Sequence, residues 1–100
     1  MKETVREKEL KKIMGEKLKK IRLDNGITSI GMVTRELGFS KSALPKIESG
    51  VNFPSSRTLN LLIGSKMGIS GRYKTTPTEY KELRELQNEM KTIRKLRKER

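Results

Sequence analysis

Residues 29–50, SIGMVTRELGFSKSALPKIESG, place two short amphipathic segments either side of one glycine, and few folds accommodate that arrangement. In the first segment Ile30, Val33, Thr34 and Leu37 recur at i, i+3, i+4 and i+7, which is one face of a helix. Ser29 stands where an N-cap side chain accepts a backbone N–H. Gly38 suits the left-handed residue that closes such a helix, since it has no Cβ to clash. Phe39 is expected to plug the core at the turn. Ser40 can cap a second helix that turns Ala43, Leu44 and Ile47 inward and leaves Lys41, Ser42 and Lys46 outside. From a Ser40 cap, Pro45 falls beyond the first turn, where it removes a hydrogen bond. That helix therefore starts late, with Ser42 nearer the cap, or it is kinked. Helix, tight turn, helix is the layout of a helix-turn-helix unit.

The flanking chain is also helical in pattern. Leu10, Ile13, Met14, Leu18 and Ile21 recur at i, i+3, i+4, i+8 and i+11, with Val5 five residues ahead of them. The pattern predicts one long helix over 1–25, with Gly15 a candidate weak point, that Asn25-Gly26 closes. Residues 49–57 read as a loop with Gly50 at positive φ. Residues 56–67 read as a helix showing Leu59, Leu62, Ile63 and Met67 to the core, with Gly64 and Ser65 either permitting close contact or weakening it. After a polar joint, Thr76-Pro77-Thr78-Glu79 forms a capping-box start with Pro at the first helical position. Leu83, Leu86, Met90 and Ile93 follow a 3-4-3 spacing. That stripe is a coiled-coil seam for a dimer or partner, or it docks on the protein's own core or N-terminal segment. The last ten residues, KTIRKLRKER, are overwhelmingly basic and suit phosphate contacts, an acidic partner or a solvated tail.

A chain of 100 residues, 32% of them hydrophobic, makes one small domain with extensions. It has no cysteine and no histidine, which removes disulfides, thiolate metal sites and the commonest general base. The carboxylates are dispersed and no phosphate-binding glycine loop occurs, so an enzyme, a metal site and a cofactor are all unexpected. No apolar run approaches a membrane span and the N-terminus lacks a signal-type apolar stretch, so a cytoplasmic protein without a membrane partner is expected. A formal net charge of +12 points to a polyanionic partner.

The stretches GEKLKKIRLDNGIT (15–28), LGFSKSALPKIESG (37–50) and 54–67 resemble the lambda-repressor and Cro-like helix-turn-helix regulators, also called the xenobiotic-response-element family. The resemblance covers a little over half the chain. Its most specific piece is the IESG ending after a Ser-x-Ser-x-Leu start. The segment between Gly26 and Gly38 and the 58–68 helix are each one residue longer than the family pattern, and Pro45 is a further departure. The resemblance implies an all-α fold. That fold is a compact lambda-repressor-like bundle over 15–70, to which the chain's own pattern adds an N-terminal helical extension over 1–14, a joint over 71–76 and a long basic C-terminal helix over 77–100. It implies a recognition helix over 41–48 in the major groove, with Lys41, Ser42 and Lys46 at base edges. Ser29, Ser40, Asn52, Ser56 and Arg57 become phosphate-backbone candidates. Arg22 and Glu48 become a structural ion pair tying the first helix to the end of the recognition helix.

The function implied is a sequence-specific regulator of double-stranded DNA. It acts as a homodimer on a palindromic operator, represses by occluding polymerase, and controls its own gene, as small members carried by phages, plasmids and conjugative elements do. The competing reading is an antitoxin-like or anti-regulator protein whose C-terminal helix captures a protein partner, with DNA binding auxiliary. That reading requires 76–100 to be loosely held when alone.

Overall fold

The computed structural model describes residues 3–65 and 70–98. They form five helices, α1 (Val5–Asp24), α2 (Ile30–Leu37), α3 (Ala43–Glu48), α4 (Ser56–Ile63) and α5 (Pro77–Lys98), with no strand among the described residues.

α1 opens on a reciprocal capping box. The Glu7 N–H donates to Thr4 Oγ1 and the Thr4 N–H donates to Glu7 Oε1, each at 3.1 Å. The helix then runs unbroken through Gly15, so the residues before 15 continue it rather than forming a separate piece. What crosses at Gly15 gives the glycine a reason to stand there. A Cβ at Gly15 would lie 2.3 Å from the Ile47 carbonyl oxygen and 2.8 Å from that of Glu48. Glycine is what lets the last turn of α3 rest on the α1 backbone.

α2 is capped by Ser29, whose hydroxyl accepts the Met32 N–H at 3.3 Å, and it closes at Gly38 with φ of 70°. Thr34 is buried at the crossing with α3 and satisfies its hydroxyl by donating to the Ile30 carbonyl at 2.9 Å.

The second helix of the unit begins later than a Ser40 cap predicts. α3 starts at Ala43, Ser42 occupies the N-cap position without a side-chain bond, and residues 41–42 belong to the turn. The helix expected over 41–48 therefore spans Ala43–Glu48. Pro45 is then the third helical residue, within the first turn, where its missing N–H has no intrahelical acceptor to lose.

α4 is capped by Ser55, which accepts the Thr58 N–H at 3.2 Å. It ends at Ile63, short of the expected Met67, because Gly64 leaves helical geometry with φ of 90°. Met67, Gly68 and Ile69 lie outside the described residues. The chain comes back across the end of α4. The Arg72 and Tyr73 N–H groups donate to the Leu61 and Leu62 carbonyls at 2.9 Å, which satisfies two groups that a helix end leaves open.

α5 starts on the expected box, with the Glu79 N–H on Thr76 Oγ1 at 3.1 Å and the Thr76 N–H on Glu79 Oε1 at 2.9 Å. Its apolar stripe docks on the chain itself. Leu83 and Met90 are fully buried, Leu86 packs against the core, and Ile93 is half-buried. Of the alternatives for this stripe, the intramolecular one is present, and Leu83 and Met90 offer no open seam. Leu83 joins one cluster with Met14, Leu18 and Ile21 of α1, Val33 of α2, Leu44 and Ile47 of α3, and Leu59 and Leu62 of α4.

Candidate nucleic-acid interface

The outer face of the α2–turn–α3 unit carries Lys41, Ser42 and Lys46, all exposed and with no carboxylate partner among the described residues. The local sequence explains this. Between Leu37 and Thr78 the only carboxylate is Glu48, and its side chain is 5% exposed. Glu48 is held by Arg22, which donates from Nε to Oε2 at 2.8 Å and from Nη2 to Oε1 at 3.0 Å. Arg22 Nη1 also donates to the Ile27 carbonyl at 2.7 Å, so the guanidinium ties α1, the α1–α2 loop and α3 together. The Glu48 hydrogen bonds raise the Arg22 pKa above its ordinary value against the opposing effect of burial. Glu36, the one acidic residue of α2, is paired with Arg72. The face is thus cationic because its carboxylates are buried or engaged.

Lys41 and Pro45 share a shallow notch with Ile30, Gly31, Thr34 and Arg35, which sets Lys41 beside the start of α2 and near the Ser29 cap. Lys46 is brought together with Asn52. The Val51 and Asn52 N–H groups both donate to the Lys46 carbonyl, at 2.9 and 3.2 Å, folding the loop back over the end of α3. Ser29, Ser40, Asn52 and Arg57 are all exposed. Ser40 does not cap α3 with its side chain; its carbonyl accepts the Ala43 N–H at 3.1 Å. Ser56 is exposed and already has a partner on α5. Its hydroxyl accepts the Gln87 Nε2–H at 3.1 Å and so faces α5. Ser55 is the residue at the α4 cap, and the spacing Ser55-x-x-Thr58 was its sequence signal.

Two contacts on the α5 side had no sequence signal. The Arg94 guanidinium lies 5.8 Å from the centre of the Phe53 ring in the α3–α4 loop. Arg84 donates from Nη2 to Asn60 Oδ1 at 2.7 Å and to the Gly64 carbonyl at 2.6 Å, tying α5 to the end of α4. Neither partner lies at a spacing that a single helix would bring together.

Among the described residues no cluster of acidic side chains could hold a metal ion, and no helix is long and apolar enough to cross a membrane. No protein-family model, curated protein or solved structure matches this chain.

Proposed function

We propose that the protein is a sequence-specific DNA-binding regulator of the lambda-repressor-like helix-turn-helix kind, with α3 presented to the major groove. The observation that carries this reading is the face around Lys41, Ser42, Lys46 and Asn52. It is exposed and basic, and the carboxylates of the unit are taken up, Glu48 buried against Arg22 and Glu36 paired with Arg72. Lys46 on α3 and Lys41 in the preceding turn are the donors to guanine O6 and N7, and Ser42 accommodates either partner. The exposed hydroxyl of Ser29 and side chain of Arg57 supply the backbone contacts that fix register. Repression follows from occupying a site that polymerase needs. Binding as a symmetric pair requires a surface other than Leu83 and Met90, which are buried within one chain. The same docking of α5 weighs against a C-terminal helix held free for a protein partner.

The test is fluorescence anisotropy with the duplex upstream of the protein's own gene and a scrambled duplex of equal length, each at two salt concentrations. Preference for the native duplex that survives high salt, and is lost in Lys46→Ala, is the expected outcome. Equal affinities that collapse together with salt would remove the sequence-specific reading for that site.

A further inference from the structure

The charges of α5 are sorted by face. Glu82, Glu85 and Glu89 recur at i, i+3 and i+7. Two of them engage α1, Glu82 with Lys17 and Glu89 with Arg6, so this stripe looks toward α1. Lys91, Arg94, Lys95 and Lys98 recur at i, i+3, i+4 and i+7 on another face, all exposed and with no carboxylate partner among the described residues. Two contacts say where that face looks. Arg94 lies over Phe53, next to Asn52, and Lys91 borders the same depression as Ser56 and Asn60 of α4. The basic stripe therefore runs on from the α3–α4 loop, where the candidate phosphate contacts stand.

We propose that this stripe is a lateral rail for the phosphate backbone of duplex DNA, which it holds beyond the base pairs that α3 reads. The inference rests on the DNA-binding reading above and adds a second contact region to it. The charge complementarity is direct, since a rail of unpaired cations releases one condensed counterion for each phosphate it meets. From Lys91 to Lys98 the helix rises about 10 Å, roughly three base pairs of duplex. Two features hold the rail in place: Arg97 of α5 donates to Glu7 of α1 at 2.7 Å, and Arg94 rests on Phe53. Because the rail touches phosphates and not base edges, it adds affinity to every sequence equally.

The experiment compares the full chain with a Lys91→Gln, Lys95→Gln, Lys98→Gln triple variant, which leaves Arg94 and its ring contact intact, and with Lys46→Ala. Affinity for a long duplex is measured across a salt series, thermal melts confirm that each variant is folded, and hydroxyl-radical footprints are taken. The rail predicts a salt slope shallower by about 0.9 for each lost contact. It also predicts a footprint roughly three base pairs shorter on one flank, and an unchanged ratio of native to scrambled affinity. A folded triple variant with unaltered slope and footprint, beside a Lys46→Ala variant that still loses site preference, overturns the rail and leaves the DNA reading standing. Failure of the unsubstituted chain to bind duplex overturns both.

Discussion

α1 is held at two places by unlike means. From its middle to its C-terminal end it meets α3 through a glycine contact at Gly15, in which backbone touches backbone, and a buried two-pronged ion pair at Arg22. Toward its N-terminal end it meets α5 through one exposed pair, Arg6 with Glu89, and through Arg97, whose partly exposed guanidinium reaches the buried Glu7. Leu10 of α1 and Met90 of α5 are also buried. At the α3 end the geometry leaves no tolerance, because an unpaired charge or an added methyl has nowhere to go. At the α5 end the Arg6–Glu89 pair is exposed and of small worth, while the buried Glu7 keeps the Thr4 N–H as well as Arg97.

The largest test of that contrast is Arg22→Ala. It strands Glu48 in a site where its side chain is 5% exposed and should destabilise the chain by about 3–5 kcal/mol, read from chemical denaturation. A loss as small as that of a surface pair would erase the distinction between the two ends. Next comes Gly15→Ala. At an ordinary helix position this change is favourable, by about 1 kcal/mol. Here it should cost about 1–3 kcal/mol, because the methyl meets carbonyl oxygens of α3 that cannot move alone. A stabilised Gly15→Ala protein would mean that α1 and α3 do not touch at this point.

The smallest effect belongs to the exposed pair. Glu89→Gln should leave the melting temperature at neutral pH nearly unchanged, and its signature lies in acid. The Arg6 hydrogen bond holds the Glu89 carboxyl below its ordinary value of 4.5. Burial pushes the Glu7 carboxyl up, but the Thr4 backbone N–H and the Arg97 guanidinium outweigh it and the net shift is downward. For a lowered carboxyl the stability is present above the unfolded value and is lost as pH falls through the folded one. Melts taken from pH 6 down to pH 2 should therefore show stability falling below about 4.5, with a gentler fall in Glu89→Gln. Identical acid limbs would show that this pair contributes nothing even to the pH dependence.

Much of the fold was legible because it is written locally. Ser29, Gly38 and the Thr76–Glu79 box each act within four residues of themselves. Periodicity marked the buried faces of α2 and α5 and that of α1 from Leu10 onward, whereas Val5 is exposed and Glu7 is buried in its place. The start of α3 was legible as two alternatives, a late start near Ser42 or a kink at Pro45, and the helix takes the first. Two features were not legible, each for a physical reason. The end of α4 depends on Gly64 turning out of the helix and on Arg84, twenty residues away, bonding its carbonyl. Gly15 looks like a weak point in one dimension and is a crossing point in three. The candidate interface divides similarly. Lys41, Ser42 and Lys46 are readable from the motif as exposed, whereas the turn of Ser56 toward Gln87 and the seating of Arg94 on Phe53 depend on where α5 lands.

The brevity of α3 has a thermodynamic consequence. Six residues with a proline among them cannot sustain a helix in water, since nucleation alone outweighs so few hydrogen bonds. The segment is helical only while Leu44 and Ile47 stay in the core and Glu48 stays on Arg22. The proposed reading face therefore has no existence apart from the folded chain, and occupancy and folding become linked equilibria. A ligand that grips this face at a hundred times its dissociation constant would raise global stability by about 2.7 kcal/mol, and every core substitution that raises the unfolded fraction taxes apparent affinity in proportion.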